Sequence, residues 1–204
     1  MNLLAHHVHS GRHVVLEPLH RDHIDGLAAA ASGDRSSFGY TQVPDGPDET
    51  AAYVEWLLAD AAAGLAGPFA QRRVADGRIV GCTRYLHPAW PLGREYPDEV
   101  EVGGTWLGAD AQRSAVNTEA KLLLLTDAFE RLGVQRVAIC TDARNERSRK
   151  AIERIGARFE AILHRHRRSF HPTDGDRLRD TAVYAVTVDD WPIVRNHLGS
   201  LLAR

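Results

Sequence analysis

The sequence predicts a mixed α/β fold, one sheet with helices on both of its faces. Three observations carry that expectation. Strand-like and helix-like segments alternate along the chain. After Gly64 the apolar pattern changes from a helical repeat of about 3.6 residues to a strand repeat of about 2. A short, continuous apolar run, Val137-Ala138-Ile139-Cys140-Thr141, reads as a buried central strand.

Taken in order, His13 to Leu19 reads as a first strand with Pro18 near its end. Arg21 to Ala31 follows as a short helix. Ser32 to Pro47, rich in Gly, Ser, Asp and Pro, is a loop. Asp48 is placed to cap a second helix that runs through Tyr53, Trp56, Leu57 and Ala61 to Gly64. Phe69 to Ala75 and Ile79 to Leu86 are two strands joined at Asp76-Gly77. Val100 to Leu107 is a further strand, and Gly103-Gly104 inside it marks a bulge or splay.

Thr118 to Leu132 is the strongest helical pattern, with Leu122, Leu125, Phe129 and Leu132 on one face and Gly133 as its stop. Asn145 to Ile155 is a helix closed by Gly156. Phe159 to His166 and Thr181 to Val188 are late strands, and Asp190 caps a terminal helix through Trp191, Val194 and Leu198. No repeat and no low-complexity linker interrupts the chain, so residues 1–204 read as a single domain.

Of the 204 residues, 44% are hydrophobic and 25% charged, and the formal net charge is −2. That balance argues against a nucleic-acid or membrane-surface partner. No apolar run reaches membrane-spanning length, and Met1 to Leu19 lacks the apolar centre of a signal peptide. A cytoplasmic protein is the resulting expectation. The two cysteines, Cys82 and Cys140, lie in apolar stretches without metal-binding spacing and read as buried thiols. His6, His7, His9 and His13 read as part of a mobile terminus. His164 and His166 share a strand face without further ligands, so no metal is expected.

Two segments carry chemistry. In the first, Trp106 and Leu107 end a strand, Gly108 to Arg113 form a loop, and Ser114-Ala115-Val116-Asn117-Thr118 open a helix. The first turn of a helix has free N–H groups and a partial positive charge, so small residues there can cradle a diphosphate. The same arrangement also serves as a plain strand-to-helix connection. In the second, Asn145 is an N-cap and Ser148 sits three residues on, a pattern that also fits simple capping.

These segments resemble the paired cofactor motifs of the GNAT superfamily of N-acetyltransferases, above all its ribosomal-protein N-terminal acetyltransferase-like branch. Gln112, Ala115 and Asn117 match the first motif, and Asn145, Ser148 and Gly156 match the second. Glu101 to Leu107 is similar to the family's splayed strand, and Arg179 to Tyr184 to the branch's closing strand. Ala115 stands where the family usually has glycine. No tyrosine follows Asn145 at the spacing many members use for a general acid; Ala151, Ile152 and Ile155 occupy that helix face instead.

The resemblance implies a mostly antiparallel central sheet splayed in the middle, with acetyl-CoA as co-substrate and no metal. It implies direct attack of a primary amine on the thioester, the amine belonging to a peptide N-terminus or a small molecule. A homodimer is an assembly open to such a protein. Trp106, Leu107, Gln112, Arg113, Ser114, Ala115, Val116, Asn117, Thr118, Asn145 and Arg149 are then the cofactor-binding candidates. Arg113 and Arg149 would meet phosphates, and a backbone N–H of Trp106 or Leu107 would hold the oxyanion. Glu101 is the candidate base and Ser148 the candidate proton donor to the leaving thiolate. For Glu101 the alternative is a surface strand carboxylate. Trp90 and Tyr96 line an acceptor groove or pack within their own loop. A CoA-binding regulator without catalysis, and an interaction domain that keeps only the fold, are the competing function classes.

Overall fold

The computed structural model describes residues 4–203; residues 1–3 of the N-terminal segment lie outside the described residues. The chain order is β1 (His9–Ser10), β2 (Val14–Pro18), α1 (Ile24–Ala31), α2 (Gly46–Ala62), β3 (Ala66–Arg73), β4 (Ile79–Ala89), β5 (Glu99–Leu107), α3 (Ala115–Thr126), β6 (Arg136–Asp142), α4 (Glu146–Arg154), β7 (Arg158–Arg168), β8 (Leu178–Thr187) and α5 (Trp191–Leu202). The strands form one sheet in the order β1-β2-β3-β4-β5-β6-β8-β7. Only β5 and β6 are parallel, and they pair only from Glu99 to Glu101. Beyond Glu101 the two strands part, which is the predicted splay.

The helices cover the two faces. Leu27, Val54 and Leu57 of α1 and α2 pack on Ala70, Cys82 and Trp106. On the opposite face α3, α4 and α5 bury Val116, Leu124, Ile152, Trp191 and Leu198 against Tyr85, Val102, Val137 and Tyr184. The alternation of strand side chains produces this division: Cys82 and Trp106 point to one helix layer, Val102 and Val137 to the other. No described helix is long and apolar enough to cross a membrane.

Several boundaries differ from expectation, each for a local reason. The second helix starts two residues before Asp48, with Asp45 at the cap position and Pro47 in the first turn. The third opens at Ala115 rather than Thr118, because the Ser114 hydroxyl accepts from the Val116 N–H at 3.3 Å. It ends in a wider turn, Asp127–Arg131, where the Leu132 N–H reaches back to the Asp127 carbonyl. Asp190 does occupy the last helix's cap position, but its carboxylate does not cap. It accepts from the Thr187 hydroxyl and pairs with Arg158.

The N-terminal histidines are not all peripheral. His9 sits in β1 and packs against Phe69, its ring centroid 5.3 Å away. Glu119 fastens this edge by accepting backbone N–H groups of Arg12, His13 and Val14 at 2.8, 2.5 and 2.8 Å. Nothing in the sequence pattern marks that buried carboxylate as a clasp for a strand more than a hundred residues away.

Candidate functional site

The parting of β5 from β6 opens a cavity of about 620 Å³. Its floor is β5, and α3 and α4 approach with their N-termini beside it. The β5 edge from Val102 onward has no partner on the β6 side. Gly104 enables the irregularity: its φ is +55, and the pairing with β4 shifts between Cys82 and Arg84.

At one end of the cavity the loop turns into α3. Arg113 holds φ +57, a conformation costly for a non-glycine residue, and Ser114 then returns to the extended region. Gln112 is fixed by bonds to the Ser37 hydroxyl (2.9 Å) and the Leu107 carbonyl (2.8 Å), and its own oxygen accepts from Arg147 (2.6 Å). Asn117 lines the cavity, and its buried Oδ1 has no hydrogen-bond partner. Asn145 caps α4 by accepting the Ser148 N–H at 3.0 Å, and both residues line the cavity.

The cavity thus gathers Trp106, Leu107, Gln112, Arg113, Ser114, Asn117, Asn145 and Ser148 from the predicted set, together with Glu101. It does not gather the rest. The Arg149 guanidinium turns away, donating to the Tyr184 hydroxyl at 3.0 Å and lying over Phe159. Helix geometry explains this. Residues 147, 151, 154 and 155 share a face, whereas 149 lies about 200° around from 147. Arg147 and Arg154 line the cavity instead. The Val116 side chain is core, only 2% exposed. Thr118 is buried, its hydroxyl taken by Arg154 at 2.9 Å. Ala115 occupies the first helical position but is not part of the cavity wall. Trp90 and Tyr96 are not on that wall either: Trp90 is exposed and Tyr96 packs on the core.

Glu101 is not a surface carboxylate. It is 4% exposed and lies against the Arg167 guanidinium at 2.8 and 3.0 Å. Cys140, expected to be buried, is half-buried on the cavity wall, and burial followed by the Glu101 charge pushes its thiol up to about 12. Cys82 is buried as expected. The predicted shared face of His164 and His166 is broken by a register shift between Leu163 and Arg167, with Arg165 at φ +47. His164 pairs with Asp180 in the open. Among the described residues no cluster of His, Cys, Asp or Glu is arranged to hold a metal.

The sequence reading missed four cavity residues of consequence. Arg84, Arg167 and Arg179 come from β4, β7 and β8. Lys121, in the middle of α3, is buried and bonds the Thr105 hydroxyl at 2.8 Å. Burial pushes its ammonium down to about 7, and the Glu101 charge only partly opposes this. A lysine inside an apolar helix pattern was the one available signal for that group.

Known proteins share this fold. Residues 13–158 match the family model described as the acetyltransferase (GNAT) domain. A GCN5-related N-acetyltransferase from Brucella melitensis superposes with a TM-score of 0.81 at 27% identity, covering 95% of this chain and 84% of that one. RimJ of Mycobacterium smegmatis, solved in complex with CoA-disulfide, shares the fold with a TM-score of 0.74 at 18% identity, over 92% of this chain and 88% of its own. A Bacillus subtilis (strain 168) protein, YdaF, provisionally named a ribosomal N-acetyltransferase, is 43% identical over 53 residues. That match spans 26% of this chain and 29% of YdaF. With the family match running from the second strand to the start of β7, the chain belongs to the GNAT acetyltransferase family.

Proposed function

We propose that the protein is an N-acyltransferase that moves an acetyl group from acetyl-CoA to a primary amine by direct attack. The observation that carries this reading is the unpaired β5 edge beside the first turn of α3, both open to one cavity. An extended, amide-bearing chain can run along such an edge as a strand would. A diphosphate then falls at the helix start, where free N–H groups and the helix dipole favour it. Arg113, Arg147 and Arg154 supply positive charge there. The unpartnered Asn117 Oδ1 offers an acceptor to a ligand N–H. The same kind of ligand accompanies the RimJ structure, which is support from a relative of like fold.

In this reading acetyl-CoA supplies an activated acyl group whose thioester carbon the amine attacks. Glu101, oriented by Arg167, collects the amine's proton. Ser148 is the candidate donor toward the leaving sulfur. Its N–H is committed to the Asn145 cap, so only its hydroxyl is available. No tyrosine stands on that face of α4, where Ala151, Ile152 and Ile155 line the wall. That feature favours the second reading, a CoA-binding regulator. Consumption of thioester with a panel of amines separates the two.

CoA is expected to raise the thermal midpoint. At about a hundred times its dissociation constant, a ligand specific for the native state adds roughly 2.7 kcal/mol. No shift at millimolar CoA would sink the cofactor assignment. Ala115→Asp is expected to abolish that shift by placing a negative charge in the first turn of α3, between Ser114 and Asn117 of the cavity wall. The unliganded protein should keep its stability, because an acidic residue in the first turn suits the helix dipole. An Ala115→Asp variant that binds CoA like the wild type would show that this turn is not the cradle.

A further inference from the structure

We infer that the acceptor is an amine that also carries an oxyanion, a carboxylate or a phosphate, held by Arg84 and Arg179 beside Glu101. The inference rests on the acyltransferase reading and names its substrate class.

The sheet order brings β4, β5, β6, β8 and β7 side by side, and with them Arg84, Glu101, Cys140, Arg179 and Arg167 onto one wall of the cavity. Arg84 is 8% exposed, with its guanidinium 4.8 Å from the Trp56 ring centroid on α2. Its Nε and Nη1 are buried with no hydrogen-bond partner. The Nε of Arg179 is buried and unpartnered as well. Unmet charged donors in a buried position are costly to keep, and a ligand oxyanion is the group that satisfies them best. The fold also reserves the space. A Cβ on Gly104 would run into the Arg84 Nε, so the glycine that bends β5 also admits the guanidinium.

The neighbouring charges do not cancel the two arginines. Glu101 is taken by Arg167, and Asp142, near Arg179, is taken by Arg144. Partial desolvation and the neighbouring arginines push the His87 and His166 imidazoles down. Lys121 lies on the α3 side, and Arg168 adds a further positive charge. Asp60 on α2 is the other carboxylate on the wall, and no ion pair joins it to Arg84 or Arg179. The wall therefore sets two carboxylates, Glu101 and Asp60, against Arg84, Arg167, Arg168 and Arg179, which leaves a surplus of guanidinium for an oxyanion. A polyamine or aminoglycoside brings only positive charge to that surplus.

The test uses matched amines with and without the oxyanion. The CoA-loaded protein is titrated calorimetrically with phosphoethanolamine against ethanolamine, and with 4-aminobutyrate against butylamine. Spermidine is the polycationic control. The anionic member of at least one pair is expected to bind about 10- to 100-fold more tightly, the range for a charge-assisted hydrogen bond. The pair that responds tells phosphate from carboxylate. Arg84→Gln and Arg179→Gln should bring the ratio towards one, and Arg84→Lys should restore part of it. Melting curves establish that each variant folds. Equal binding within both pairs, or tighter binding of spermidine, overturns the inference. So does an unchanged ratio in both glutamine variants. If CoA itself fails to bind, the acyltransferase reading falls, and the same titrations without CoA still decide the oxyanion preference.

Discussion

Replacing Glu101 with glutamine is expected to lower turnover by about 10² to 10⁴, the usual contribution of a positioned acid or base. Glutamine keeps the shape and leaves Arg167 an oxygen to donate to, but it cannot take a proton. The carboxylate is 4% exposed and fixed at 2.8 Å from the Arg167 guanidinium, so it is oriented and shielded from bulk water. CoA affinity should hardly change, because the α3 turn that would cradle it is a separate element. The deficit should shrink as pH rises, since more of the substrate amine then arrives neutral. Unfolding curves measured alongside separate lost chemistry from a loosened Arg167. Wild-type turnover across the pH range would remove Glu101 from the mechanism.

Much of the frame was legible because it is written locally. Asn145 and Ser148 are three residues apart, and the cap they form follows from that spacing. Gly133 and Gly156 stop helical patterns and hold φ +65 and +95, which glycine adopts without strain. Gly103-Gly104 announced the irregular strand that opens the cavity.

The arginine wall was not legible, and its topology explains why. β8 inserts between β6 and β7, so Arg179 and Arg167 meet Glu101 only after the sheet order is known. Arg149 failed for a smaller reason. The sequence marks a charged helix, but only the helical phase tells which arginines face inward, and the phase set by Ser148, Ala151 and Ile155 selects Arg147 and Arg154. Glu101 was placed on the right strand, yet its burial depends on β7, whose Arg167 no local pattern pairs with it.

Lys121→Met is expected to stabilise the protein, by on the order of 4 kcal/mol near neutral pH. The ammonium is buried against α3 and β5, with the Thr105 hydroxyl as its hydrogen-bond partner at 2.8 Å. Burial lowers its proton affinity from 10.5 to about 7. The folded state therefore binds this proton less readily than the unfolded chain does. Below about pH 7 both states hold it, and the folded protein bears the whole penalty. Between about pH 7 and 10.5 the unfolded chain holds more protons, so wild-type stability from this group rises with pH. Methionine has no proton to lose, fills a similar volume and removes the dependence. The variant's advantage should thus be largest at about pH 6 and fall by about 2–3 kcal/mol between about pH 7 and pH 9. Denaturant unfolding at those values reads it directly. Lys121 lines the same cavity as Glu101, so the substitution also tests whether the reaction uses this group. The pH profile of wild-type kcat/KM should accordingly carry a limb near pH 7 that Lys121→Met abolishes, with turnover falling as stability rises. A variant no more stable than wild type at about pH 6, or one whose advantage is flat with pH, would mean that Lys121 is solvated well enough to keep an ordinary ammonium.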